Sequence, residues 1–325
     1  MYRVLSIDGG GVRGLVAALV LADLEKRADR PVAELFDMVA ATSTGAIVGL
    51  GLLRPGADGR PARTAAEVAE FYLCTSRAVF SRSPWHRLRS LEGLVGPKYD
   101  ARVLDHALKQ EFGETALSQT LSDVVITSYD LRARRPFFFK SRDVVEGTAA
   151  DQPMWLVARS SSAAPTYFVP AATQHRSGRR WLVDGGVFAN NPTLCAFVEA
   201  RPRRHPEDKA LDEVLVVSVG TGAISENYAT PRTLRGGSLT WARPLFDIVL
   251  DGQEDSTDYE MRRLAGHERY FRFQAQLPDQ ASAIDDASSA NVARLRDGAT
   301  DLVRRRAADL EKVAHLLSTP AEAVT

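Results

Sequence analysis

Three short stretches hold residue types that could do chemistry together. In AATSTGA, residues 40–46, an apolar run delivers Ser43 into a turn of small residues, and a helix-like run follows from Thr44. This is close to the G-x-S-x-G pattern, in which a sharp strand-to-helix turn lifts a serine hydroxyl clear of the backbone at the positive end of a helix. Gly45 fills one glycine position, and Thr42 and Thr44 flank the serine. Ala41 stands at the other glycine position, a departure that matters only if that site needs positive φ. In DGGVFANNP, residues 184–192, Asp184 leaves the short run Trp181–Val183 and enters a Gly185-Gly186 turn. In IDGGGVRG, residues 7–14, Gly9, Gly10 and Gly11 precede Arg13 and Gly14, between a strand-like and a helix-like run. The spacing Gly9-x-Gly11-x-x-Gly14 also satisfies the dinucleotide fingerprint.

Each stretch has a plainer reading. Ser43 serves as a helix cap as readily as a nucleophile. Asn191 reads as a cap with Pro192 at the first helical position, and capping is the expected role of Asn190 and Asn191. The glycine loop is easier to decide. A dinucleotide site wants an acid at the end of the second strand, about 20 residues on. Asp37 lies near the start of that strand, and Ser43 occupies its end. The loop therefore faces a serine. Exposed N–H groups at a helix start bind negative charge in either use, and here the charge that fits is a transient oxyanion.

A nucleophilic serine needs a base. His205 lies in a Pro/Arg-rich stretch, His267 precedes its strand, His315 sits in the last helix, and His86, His106 and His175 precede the acid. None fits the Ser–acid–His order of an α/β hydrolase. The histidine-free option is an aspartate acting directly on Ser43. With an ordinary pKa of about 3.9 an aspartate is a weak base, so its site must raise it by burial.

The elements that must position these residues follow from the hydrophobic pattern. Short apolar runs alternate with helix-like stretches, which predicts a three-layer α/β/α fold around a mainly parallel sheet. Strands are expected at 2–7, 36–42, 122–129, 136–140, 180–183, 213–219 and 269–273. Helices are expected at 14–28, 44–53, 64–77, 100–112, 153–162, 192–201 and 290–317. Residues 54–63, 223–245 and the 270s and 280s read as loops. No linker interrupts this order, so one domain over 1–317 and a tail at 318–325 are expected.

Composition sets further bounds. The chain has 325 residues, 45% hydrophobic and 25% charged, enough for a large core. Its 41 basic and 41 acidic residues give no net charge, and so no electrostatic case for a nucleic-acid polymer or for bulk attraction to anionic membranes. Cys74 and Cys195 have no metal-ligand spacing and read as reduced, buried thiols. No metal-ligand cluster and no cofactor is indicated. The run at 15–22 lacks the flanks of a signal peptide, and no run approaches membrane-spanning length. A soluble cytoplasmic protein is expected.

Taken together, DGGGVRG at 8–14, ATSTG at 41–45 and DGG at 184–186 resemble the patatin-like phospholipases. KYDARVLDHALKQEFG at 98–113 and SSSAAPTYFVP at 160–170 add to the likeness. The resemblance implies a lipid acyl hydrolase of phospholipase A or lysophospholipase type. It implies Ser43 as nucleophile, Asp184 as base, and an oxyanion hole in the backbone around Gly9, Gly10 and Gly11 beside Arg13. Its substrates would be phospholipids or other acyl esters, met through peripheral contact with a membrane. Residues 78–95, which mix Phe80, Trp85 and Leu88 with arginines, are a candidate lid or membrane contact, or a surface segment packed on the core. Acyl transfer and neutral-lipid hydrolysis use the same dyad and stay open, as does a scaffold with a dead site. So does an effector gated by a small nucleotide, although no separable sensor domain marks one.

Overall fold

The computed structural model describes the chain apart from residues 81–95, 176–177, 201–213, 225–228, 231–233, 282 and 320–325. The strands are β1 (Tyr2–Ile7), β2 (Met38–Ala41), β3 (Asp123–Asp130), β4 (Arg135–Lys140), β5 (Ala171–His175), β6 (Gly178–Asp184), β7 (Val214–Val219), β8 (Ala223–Ile224), β9 (Tyr270–Phe273) and β10 (Gln276–Leu277). Eight form one sheet in the order β5-β6-β3-β2-β1-β7-β9, with β4 pairing β3 outside that order. The neighbours from β3 through β9 are parallel. β4, β5 and β6 add an antiparallel end. β8 and β10 make a separate parallel pair.

The central strands are buried on both faces, which is why they read as continuous apolar runs. Alternation sorts their side chains into two cores. Leu5, Ile7, Val39, Ala41, Leu215 and Val217 face the larger one. Val4, Met38, Ala40, Val214 and Val216 face the smaller. Helices Gly14–Ala28, Thr44–Leu53, Ala65–Val79, Ala101–Phe112, Met154–Ser161, Ser289–Arg305 and Ala307–Ser318 cover the first face. Helices Thr193–Glu199 and Ser238–Leu264 cover the second. Every residue of Thr44–Leu53 is buried, so this helix is apolar all round. The Ala65–Val79 helix starts on a capping box of Thr64 and Glu67.

The three-layer α/β/α architecture is the expected one, with differences that have physical causes. The second strand is shorter than 36–42, because the turn around Ser43 takes over after Ala41. The stretch 290–317 is two helices, broken at Arg306 with φ −106° and ψ 22°. The loop expected at 223–245 gives way at residue 238 to a helix of 27 residues. Pro244 and Gly252 hide that helix in the sequence. The 270s carry β10, its partner β8 falls in the expected 223–245 loop, and β5 lies where no strand is expected. Cys74 is exposed and Cys195 half-buried, contrary to the expected burial, because Cys74 falls on the outward face of its helix. From residue 81 onward the candidate lid lies outside the described residues. Among the described residues, no helix is long and apolar enough to cross a membrane.

One detail of pairing positions the chemistry. β4 takes one edge of β3 along Val125–Asp130. The other edge is shared end to end, with β2 pairing Asp123–Ile126 and β6 pairing Ser128–Asp130. β6 therefore delivers its last residue, Asp184, just beyond the point where β2 stops at Ala41.

Candidate active site

β2 turns sharply into the Thr44–Leu53 helix at Ser43, whose backbone sits at φ 55° and ψ −122°. A non-glycine residue rarely adopts such an angle, and a strand-to-helix elbow that exposes a serine requires it. Tight packing holds the turn. A Cβ on Gly45 would lie 2.4 Å from the Ile7 carbonyl oxygen, so only glycine lets the helix start this close to β1. Ala41 is in β2 and is not among the positive-φ residues, so the alanine there costs the elbow nothing.

The Ser43 hydroxyl does not cap the helix. It donates to Asp184 Oδ2 at 2.5 Å. Its backbone N–H donates to Ser161 Oγ at 2.8 Å, a partner from the 160–170 stretch whose individual role sequence reading did not identify. Thr42 Oγ1 shares a 2.7 Å hydrogen bond with Thr127 Oγ1 and donates to the Ala189 carbonyl at 2.7 Å, tying the elbow to β3 and to the loop after Asp184.

Asp184 is buried. Its Oδ1 accepts the Gly186 N–H at 2.8 Å, so both carboxylate oxygens have defined partners. Burial pushes its pKa up to about 7, and the hydrogen bonds from Ser43 and Gly186 pull weakly the other way. This is the shift that a direct aspartate base needs. Among the described residues no histidine lines the cavity at Ser43.

The glycine loop closes the third side. Gly11, at φ +57°, has no room for a side chain, since a Cβ would meet the Ile284 carbonyl oxygen at 2.0 Å. That same carbonyl accepts the Val12 N–H at 2.7 Å. The hydroxyls of Thr44 and Tyr72 both donate to the Gly11 carbonyl and hold its peptide. Gly9, Gly10 and Gly11 are not equivalent. The Gly9 N–H is taken by the Asn190 carbonyl at 3.0 Å. The N–H groups of Gly10 and Gly11 donate to nothing among the described residues, and both glycines line the cavity. Arg13 is buried under the loop, where its Nη1 reaches the Gly222 carbonyl at 3.5 Å, and it does not line the cavity.

Asn190 and Asn191 have different jobs. Asn191 Oδ1 accepts the Thr193 N–H at 3.0 Å, as a cap would, although the helix begins at Thr193 rather than at Pro192. Asn190 instead bonds the glycine loop and Glu254.

Ser43 and Asp184 line a pocket that is partly open to solvent. Its walls are mostly apolar, with Ile47, Val79, Phe80, Leu104, Phe168 and Leu250 among them. The arrangement offers a hydroxyl paired with a buried carboxylate, two unengaged N–H groups, and an apolar chamber. Among the described residues no cluster of His, Cys, Asp and Glu could hold a metal ion.

Known proteins are similar to this chain. The family model "Patatin-like phospholipase" matches residues 5–197. "Probable inactive patatin-3-Kuras 1" of Solanum tuberosum is 31% identical over 98% of this chain and 93% of its own length. "Patatin-like protein 2" of Oryza sativa subsp. indica is 33% identical over 91% of this chain and 82% of its own. Among solved structures, VipD from Legionella pneumophila aligns with 94% of this chain and 67% of its own at 12% identity, with a TM-score of 0.41. The family match covers the glycine loop, the Ser43 elbow and the Asp184 turn together, and the chain belongs to the patatin-like phospholipase family.

Proposed function

We propose that this chain is a lipid acyl hydrolase of the phospholipase A or lysophospholipase type, acting through an acyl-Ser43 intermediate with Asp184 as its base. Family membership supports lipid acyl hydrolysis in general. The observation that carries the finer reading is the 2.5 Å hydrogen bond from Ser43 to a buried Asp184 on the wall of an apolar cavity.

In this mechanism Asp184 Oδ2 takes the hydroxyl proton as Ser43 Oγ attacks an ester carbonyl. The carbonyl oxygen becomes an oxyanion and accepts from the N–H groups of Gly10 and Gly11. Each such donor is worth about 3 kcal/mol in the transition state. Asp184 passes its proton to the departing alcohol, and the acyl group stays on Ser43. Water then enters, gives a proton to Asp184, and attacks the acyl ester. The fatty acid leaves, and Ser43 recovers its proton. The apolar chamber holds the acyl chain and limits water, which strengthens the oxyanion contacts. Access to lipid would come through peripheral contact with a membrane or micelle.

The test is fatty-acid release from phospholipid vesicles by the wild type, Ser43→Ala and Asp184→Asn. Release by the wild type alone supports the dyad. Release that survives Ser43→Ala refutes it. Analysis of the products with an added acceptor alcohol separates hydrolysis from acyl transfer.

A further inference from the structure

Beneath the glycine loop lies a buried charge cluster that the acyl-transfer steps do not use. Asp8 follows β1, Arg272 lies in β9, and Glu254 projects from the Ser238–Leu264 helix. They are 0%, 6% and 9% exposed, which rules out solvent as their main partner. Arg272 Nη2 donates to Asp8 Oδ2 at 2.5 Å and lies 3.7 Å from Glu254 Oε2. Arg272 Nη1 donates to Ser218 Oγ at 2.9 Å. Two carboxylates thus share one guanidinium. Burial pushes both acids upward, and the charge of Asp8 adds to the effect on Glu254.

Besides the chain link from Asp8 to Gly9, the cluster reaches the site through the Asn190 side chain. Glu254 Oε1 accepts the Asn190 Nδ2–H at 2.5 Å. Gln274 Nε2 donates to the other oxygen of Glu254 at 3.0 Å, and Gln253 Oε1 accepts the Asn190 backbone N–H at 3.1 Å. Asn190 in turn holds Gly9 from both sides. Its carbonyl accepts the Gly9 N–H at 3.0 Å, and its Nδ2 lies 3.4 Å from the Gly9 carbonyl oxygen. Because the amino group is turned to Glu254, the amide oxygen is left near Gly9 and Gly186, on the cavity side. Asn190 is therefore the contact between the glycine loop and the loop that carries Asp184.

A buried ion cluster is a poor source of stability, since an apolar replacement often does as well. A buried hydrogen-bonded network instead fixes one geometry, and here both oxygens of Glu254 are engaged. We propose that Glu254 is a positioning residue: by holding the Asn190 amide it sets the register of the glycine loop against the Ser43–Asp184 pair. This rests on the reading of Ser43 and Asp184 given above.

The experiment compares Glu254→Leu and Glu254→Gln in the full chain, with p-nitrophenyl butyrate as a soluble ester. End-point labelling of Ser43 by a fluorophosphonate counts folded, competent sites, so that rates are expressed per site. Glu254→Leu removes the acceptor. It is expected to lower kcat about tenfold or more, a modest share of the loss a misplacement of 1 Å can cause, while KM stays close to wild type. Glu254→Gln keeps an amide oxygen for Asn190 and is expected to recover most of kcat. Wild-type kcat per labelled site in Glu254→Leu would overturn the proposal. So would a Gln variant no better than the Leu variant. Ser43→Ala runs alongside, and activity surviving there would refute the dyad itself, independently of what Glu254 does.

Discussion

Asp184 pairs with Ser128 across the antiparallel β3–β6 ladder, two residues past Ile126, the last position at which β3 pairs with β2. β2 and β6 thus meet end to end along one edge of β3. The end of β2 carries the elbow and the end of β6 carries the acid, so the 2.5 Å contact between Ser43 and Asp184 follows from strand register. Neither residue has to reach, which keeps both side chains short and few rotamers open.

The first prediction concerns rate against pH. Burial places the pKa of Asp184 at about 7. In the proposed mechanism the ionised carboxylate is the base, so kcat/KM on a soluble ester should fall as pH drops through about 7. A limb centred between 4 and 5 would show that burial does not hold the proton on Asp184. Glu254 is also pushed to about 7, so the profile should be repeated in Glu254→Gln, where the limb is expected to remain.

The second concerns stability. Burial raises the pKa of Asp184 in the folded state above its ordinary value of 3.8. Between those two values the native protein binds more protons than the unfolded chain, so the contribution of Asp184 to stability falls as pH rises through the window. Asp184→Asn removes the buried charge and keeps an oxygen for the Gly186 N–H. The variant should be more stable than wild type at pH 8, by on the order of a few kcal/mol, with the gap closing towards pH 4. Urea unfolding at the two pH values measures this. An equal gap at both would mean that Asp184 titrates no differently on folding.

How much of this was legible beforehand depends on whether a signal was local. The Ser43 elbow, the Asp184 turn and the glycine loop are each contiguous, and their small residues report close packing directly. The contexts of the histidines leave an aspartate as the base option, and the family resemblance singles out Asp184. The supporting shell was not legible, because its members come from separate elements. Glu254 belongs to a helix that Pro244 and Gly252 disguise and that leaves Trp241, Leu245, Ile248 and Val249 exposed, so no inward apolar stripe announces it. Arg272 reads in the sequence as an ordinary arginine in a short strand. The engagement of the Gly9 N–H by Asn190 needs two loops 181 residues apart to meet.

A third prediction tests the elbow's departure from the glycine pattern. Ala41 sits in β2 with its side chain in the larger core. Ala41→Gly should keep activity and lose about 1 kcal/mol, the ordinary cost of glycine in a strand. Gly45→Ala should cost activity as well, because its methyl would press on the Ile7 carbonyl oxygen at 2.4 Å. A loss of about 1–3 kcal/mol from overpacking, with activity lost as the turn shifts, is expected. Ester hydrolysis and thermal melting of the two variants decide it, and an active, stable Gly45→Ala would mean that the helix start can move without harm.

The last prediction isolates the strain at Ser43. At φ 55° and ψ −122° a side-chain-bearing residue is held in a region suited to glycine. Such strain costs about 1–3 kcal/mol. Glycine would relieve it but loses about 0.5–1 kcal/mol more chain entropy on folding. Ser43→Ala and Ser43→Gly both abolish the hydroxyl and its bond to Asp184, so the difference between them reports the backbone alone. Ser43→Gly should therefore be the more stable of the two inactive variants by about 1 kcal/mol, seen as a higher urea midpoint at unchanged slope. If Ser43→Ala proves equal or better, the elbow stores no strain, and exposure of the hydroxyl costs the fold nothing. If the glycine variant gains as expected, the fold gives up stability at this one residue to hold the Ser43 hydroxyl out towards Asp184.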